Sequence, residues 1–238
     1  MSLTYDQLVI DMANFAVVSP SDANYLLAVP DIITDSEQRM YRDLDLLATR
    51  VTNTAASFSS GDRYLTLPSS LGTFLVVEEV NAITPVTATS TNGTRVPLVN
   101  TSQDFINIVY PSNVAATNVP EFWSMKDNAT IVVGPVPDAA YSVEIVGTIR
   151  PTPLSSSNQT TILTTMLPDA FFAACLSYCA GYMKNFSAMS DDPQAGQTWE
   201  ATYKTRLASA GIEEFRKKYQ SQAWTSKIPA PFATPPRQ

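Results

Sequence analysis

The sequence predicts an α+β protein. The two ends of the chain form an α-helical bundle, an antiparallel β-sandwich or barrel is inserted between them, and an extended arm closes the C-terminus. Three observations predict this. Apolar residues recur at three- and four-residue steps near the N-terminus and again beyond Thr164, the spacing of one helix face. From about Thr52 to Arg150 the period changes, with dense Val, Ile and Thr punctuated by Gly, Pro and Asn, as in strands and turns. After Trp224 the chain reads TSKIPAPFATPPRQ, whose four prolines forbid a helix and favour an extended, polyproline-like course. The implied parts are an N-terminal helical part (1–51), a β region (52–153), a C-terminal helical part packing on the first (154–224) and the arm (225–238).

Thr4-x-x-Gln7 reads as a capping box before a short amphipathic helix carrying Leu8, Met12 and Phe15, which ends near Ser19-Pro20. Ser21 to Ala28 adds a further helical turn. Pro30-Asp31 then opens a longer helix reaching Val51, with a stripe of Ile33, Glu37, Met40, Leu44 and Leu47 in which Glu37 is the polar intruder. Arg39 and Asp43 are four apart on its exposed side, a pairing worth a few tenths of a kcal/mol, roughly.

In the β region, Ser59-Ser60-Gly61-Asp62 separates two segments expected to pair as a hairpin, and GTFLVVEEVNAI is a strand with an apolar centre. Asn92-Gly93 predicts a tight turn with positive φ at both central positions. Thr101 or Ser102 caps a short helix, QDFINIVY. PEFWSMKD, TIVVGPVP and YSVEIVGTI are three further strands, and in the last Tyr141, Val143, Ile145, Gly147 and Ile149 share one face.

The stretch Thr164 to Phe186 holds the longest apolar run. Pro168 and Asp169 suit a first helical turn. Phe171, Cys175, Tyr178, Tyr182 and Phe186 form a bulky face, while Ala170, Ala173, Ala174, Ser177 and Gly181 form a small-residue packing face. Such a helix can be covered by its own chain on one side and by another chain or element on the other. Its uninterrupted apolar part, Ala170 to Met183, is shorter than the ~20 residues a membrane span needs. Asp191-Asp192-Pro193 begins the next helix, with a stripe of Trp199, Tyr203, Leu207, Ile212 and Phe215 that Gly211 interrupts. Ile228 and Phe232 are apolar beads on the arm.

Composition excludes several chemistries. The chain has 238 residues and no histidine, which removes Ser–His–Asp and Cys–His catalysis and every histidine-based metal site. Cys175 and Cys179 lie four apart on one helix, a poor disulfide geometry, and read as small buried hydrophobes. With 8 glycines there is no phosphate-cradling loop. No metal or cofactor site is expected. Charged residues make up 16% of the chain, below the ~25% usual for soluble domains. Residues 198–238 carry a net +4 and the first 197 a net −11, so a basic end follows an acidic body. The N-terminus has no signal-peptide pattern, so a cytoplasmic location is expected.

Two other functions fit single features. Trp123, Phe122, Tyr110 and Tyr141 could form an aromatic platform for a carbohydrate or receptor on the β region, unless they are core residues. Glu78 or Glu79 with Glu144 could serve a carboxylate hydrolase if a sheet brought them together.

Several segments in order carry a resemblance: IITDSEQRMYRDLDLLATRV, YLTLPSSL, VPEFWSMKDNATIVVGPVPDAAYSVEIVGTIRPTPLS and LPDAFFAACLSYCAGYMKNF. Their shared features are R-x-Y-R-D on an acidic helix, Leu-Pro after the first hairpin, an aromatic strand, and P-x-P-D-A-A-Y before a strand ending in R-P-x-P-L. With this order the chain resembles the head–tail adaptor (connector) proteins of short-tailed bacteriophages. The resemblance implies a non-enzymatic virion protein, assembled in the host cytoplasm. It forms a homo-oligomeric ring, commonly of twelve copies, beneath the portal protein, and receives the tail (nozzle) protein. DNA passes through the channel without specific binding, which suits an acidic body. The arm, with Lys227, Ile228, Pro229, Phe232 and Arg237, would reach a neighbouring copy or the portal.

Overall fold

The computed structural model describes residues 3–112, 117–182 and 194–220. Helix α1 spans Tyr5–Phe15 and α2 Ala23–Asp43. A 3-10 turn, Leu47–Thr49, leads into strands β1 (Arg50–Ser57), β2 (Tyr64–Thr66), β3 (Gly72–Thr84), β4 (Thr94–Pro97) and β5 (Val99–Asn100). Helix α3 (Gln103–Val109) precedes β6 (Thr117–Asn118), β7 (Phe122–Asp127), β8 (Thr130–Gly134), β9 (Val136–Pro137) and β10 (Ser142–Pro151). Helices α4 (Ile162–Met166), α5 (Pro168–Tyr182) and α6 (Ala195–Gln220) follow. The fold class is α+β.

Thr4 caps α1, its hydroxyl accepting from the Gln7 N–H at 3.3 Å. The Gln7 amide turns instead to Asp11 at 2.8 Å, so only half of the expected capping box forms. The two helices expected around Pro30 are one. Asp22 caps α2 by accepting from the Tyr25 N–H at 2.9 Å, and Pro30 lies inside the helix on its exposed side. Proline removes one helical hydrogen bond there. The buried stripe of Tyr25, Val29, Ile32, Ile33 and Met40 runs across it and holds the two halves together. The same helix stops at Asp43 rather than Val51. Leu44 turns extended so that it and Leu46 reach the core, and Arg50 is already paired in a sheet.

The strands make a four-stranded antiparallel sheet in the order β1-β10-β3-β4, a second sheet β2-β8-β7-β5, and a short β6-β9 pair. These sheets do not form a closed barrel. Nor is the region wholly antiparallel: β5 runs parallel to β7, and β6 to β9. A parallel pair needs a crossover, and α3 lies in the one joining β5 to β7. The turn at Gly61 is present, with φ +79°, but β1 pairs with β10 and β2 with β8, so the expected hairpin is absent. At Asn92-Gly93 neither residue has positive φ. β3 and β4 close with Thr84 opposite Thr94, and the Asn92 side chain ties the intervening loop by accepting from the Thr89 N–H at 2.7 Å. Gly93 serves packing: a Cβ there would lie 2.3 Å from Ile83 Cγ2. β10 alternates as its sequence predicts, with Tyr141, Val143, Ile145, Gly147 and Ile149 buried. At Gly147, beside a register shift with β3, a Cβ would lie 2.2 Å from the Val76 carbonyl oxygen.

Apolar side chains gather in two clusters. One belongs to the helices and includes Leu8, Met12, Ile32, Phe171, Cys175 and Tyr203. The other joins both four-stranded sheets through Val80, Trp123, Ile131, Val133, Val143 and Ile145. The chain passes between these clusters twice, and each passage is held by a buried glutamate. Glu214 of α6 accepts from the Leu47 N–H at 3.0 Å where the chain enters the strands. Glu37 of α2 accepts from the Leu154 N–H, with both carboxylate oxygens at 3.2 Å, where it leaves them. Loss of hydration in the core pushes the Glu37 carboxyl from 4.5 up to about 7, against the pull of the Leu154 N–H and Thr161.

A carboxyl whose folded pKa is raised binds its proton more tightly in the folded state, so its contribution to stability is fully present below about pH 4.5 and is lost as pH rises through about 7. No histidine titrates across this window. Urea unfolding from pH 4.5 to 8 is therefore expected to show a stability loss of about 3 kcal/mol that Glu37→Gln, whose amide oxygen still accepts the Leu154 N–H, removes. Identical pH profiles for the two proteins would contradict this.

Candidate functional site

The small-residue face of α5 lies largely inside its own chain. Ala170, Ala173 and Ala174 are buried in the helical cluster. Ser177 is half-buried and donates to Glu200 of α6 at 3.1 Å. Gly181 is exposed, and a Cβ there would meet nothing within 4 Å. Phe171 and Cys175 of the bulky face are buried as well, because α1, α2, α4 and α6 surround α5. Phe186, the helix start at Asp191-Asp192-Pro193 and the arm residues Lys227, Ile228, Pro229, Phe232 and Arg237 lie outside the described residues. Cys175 and Cys179 are free and buried, and burial pushes their thiols up to about 12 and about 11, so both stay protonated.

A polar network seals the seam between α2, α5 and α6. Arg39 binds Glu200 through both terminal nitrogens, at 2.8 and 2.6 Å. Its guanidinium lies 4.3 Å from the Tyr203 ring centre, and Tyr203 donates to Asp43 at 2.7 Å. Lys204 approaches Glu200 at 3.3 Å. These hydrogen bonds and charges, Arg39 foremost, pull the Glu200 carboxyl down to about 2. The expected Arg39–Asp43 contact exists at 3.6 Å but is secondary. Spacing within one helix reveals the i,i+4 neighbour and cannot reveal a partner 161 residues away.

The aromatic platform does not form. Trp123 and Tyr141 are buried in the β cluster, and Phe122 packs edge-on against Phe105 at 5.4 Å. The carboxylates do not converge either. Glu144 is held by Arg95 through two bonds of 2.8 Å, which keeps its carboxyl below the usual range, while Glu78 pairs with Arg50 at 2.7 Å. An ionised, doubly bound carboxylate is a poor general acid. A groove of about 480 Å³ between the first sheet and α4 is lined by Leu71, Ile149, Ile162 and Met166, with no ionisable side chain on its walls. Among the described residues no cluster of His, Cys, Asp or Glu could hold a metal, and no helix is long and apolar enough to cross a membrane.

The surface carries apolar residues that helical spacing assigned to the core. Spacing puts Ile212 and Phe215 on the same stripe of α6 as Tyr203; Tyr203 is buried as expected, whereas Ile212 and Phe215, with Tyr219, face outward on the last turns. The reason is that the inner side of those turns is occupied by Glu214 and Lys218, which hold Leu47 and Asp45. Leu27 and Val17 are exposed near the other end of the helical part. The chemistry on offer is therefore that of contact surfaces.

Breaking the seam should cost stability. Arg39→Ala is expected to lower it by about 2 kcal/mol, because Glu200 then keeps only Lys204 and Ser177 in place of its two-point partner, and Arg39→Lys to recover less than half, because the two-point bond is lost. Equal unfolding midpoints for wild type and Arg39→Ala would contradict this.

Among known families, the chain matches the one described as SU10 adaptor protein, over residues 3–231. No curated protein matches the chain.

Proposed function

The chain belongs to the SU10 adaptor protein family, and from this we propose that it is a structural virion protein that joins a phage head to its tail. A phage adaptor is what the resemblance in its helices and strands leads to, and the family match over nearly the whole chain is the observation that carries the reading. In this proposal several copies, twelve as is common in such adaptors, form a ring below the portal protein. The tail (nozzle) protein docks on its far side, and DNA passes through its centre. Residues 1–51 and 154–224 form the helical wall, and residues 52–153 face outward or toward the tail.

Three features support it. The first 197 residues carry a net charge of −11, so a channel wall built from them repels phosphates instead of binding them. Apolar side chains stand exposed at both ends of the helical part, as expected of a protein that works packed against others. Residues 225–238 are basic and rich in proline, and an extended arm has little conformational entropy to lose on docking. Lys227, Ile228, Pro229, Phe232 and Arg237 are the proposed contacts of that arm with the portal or a neighbouring copy.

Mass photometry of the protein, alone and mixed with the portal of the same phage, tests the reading. The expected result is a discrete ring mass on the portal; a chain that leaves the portal mass unchanged would overturn it. Deleting residues 225–238 is expected to weaken portal attachment about a hundredfold, the worth of two buried apolar side chains, with the unfolding temperature of the body unchanged.

A further inference from the structure

We propose that copies of this chain join head to tail, the exposed last turns of α6 in one copy seating against the outer face of α2 in the next; this rests on the adaptor reading and names the surfaces that would build its ring. On α6, Ile212, Phe215 and Tyr219 recur at three- and four-residue steps and are 57, 61 and 63% exposed. Arg216 lies on the same face, exposed, and makes no ion pair among the described residues. The basic neighbours Lys217 and Lys218 are paired with Glu213, Glu214 and Asp45. The face is thus apolar with one uncommitted cation.

On α2, Leu27, Asp31 and Asp35 follow one another at four-residue steps, a single line along the helix. Leu27 is 77% exposed and Leu26 beside it 46%. Asp31 and Asp35 are exposed and form no ion pair among the described residues. Residues 1–43 hold seven acidic and two basic groups; Arg39 is paired with Glu200, and Arg42 is hydrogen-bonded to the Gln38 amide, so the region keeps a net negative charge. This face is apolar with uncommitted anions, the complement of the other.

One chain cannot join its own two faces. Arg39 meets Glu200 and Asp43 meets Tyr203, so α2 and α6 run the same way past that seam. Leu27 lies 12 residues before it on α2 and Phe215 15 residues beyond it on α6, which places them roughly 40 Å apart. Self-pairing of the α2 face would set carboxylates against carboxylates. A contact between unlike faces is heterologous, and it generates a closed ring when its rotation closes.

The test uses two full-length variants, Leu27→Cys and Phe215→Cys. Both sites are exposed, and the native Cys175 and Cys179 are buried away from reagent. Each variant alone and an equal mixture are treated at high concentration with a short bismaleimide. A cross-linked dimer in the mixture but in neither variant alone supports the head-to-tail contact. Cross-linking within one variant shows self-pairing and overturns it. No mixed cross-link overturns it too, including the case in which residues 221–238 cover the α6 face. Arg216→Glu is expected to lower the cross-linked yield about tenfold, and the pair Arg216→Glu with Asp31→Lys to restore it. A ring of normal mass on the portal with Phe215→Asp would overturn this contact and leave the adaptor reading intact, whereas wild type that never joins the portal would overturn the reading itself.

Discussion

The helical part depends on one charged contact. Arg39 and Glu200 are separated by 161 residues, and the strands lie between them in the chain. Together with the apolar cluster of the helices, this seam makes the two ends of the protein into one body. The seam is partly shielded, with both side chains about one-quarter exposed, so the charges are neither fully screened nor left unsolvated. Tyr203 and Asp43 hold the guanidinium from its other sides, which restricts it to the orientation that binds Glu200 at two points.

Around this seam the chain solves the problem of attaching a β region to helices without a large shared apolar surface. Each crossing presents a backbone N–H that no strand or helix uses, and each is met by a glutamate from a long helix. The two sites differ in their electrostatics. Glu214 has Lys217 at 2.7 Å, whereas Glu37 sits beside Leu154, Tyr41 and Thr161 with no cation among the described residues. The uncompensated one is the carboxyl that takes up its proton near neutrality.

Much of the element order was legible because it rests on local signals. Helix caps at Thr4 and Ser102 form with neighbours three residues away, and the alternation along Tyr141 to Ile149 records a strand with one face in the core. What was not legible depends on partners distant in sequence. Two strands flanking a glycine turn read as a hairpin, yet β1 finds β10. Pro30 reads as a boundary, yet buried residues on both sides carry α2 through it. Spacing identified a stripe on α6 but not where the inward face ends, because Glu214 and Lys218 take over that face after Ala210. The small residues of α5 read as a face covered by another chain or element, and which of the two was not legible: the protein's own helices cover Ala170, Ala173 and Ala174. For function, the missing histidines narrowed the field from composition alone, while the aromatic platform failed on the burial of Trp123.

The position of β10 has a mechanical consequence. It pairs with β1 along one side and with β3 along the other, both antiparallel, and its end runs within three residues of the Leu154 N–H that Glu37 holds. A pull along this strand from the helices does not peel an edge one bond at a time. It loads two ladders of hydrogen bonds together in shear. Tension arriving from the helices is thus spread across the middle of the first sheet, after passing through the short loop that Glu37 anchors.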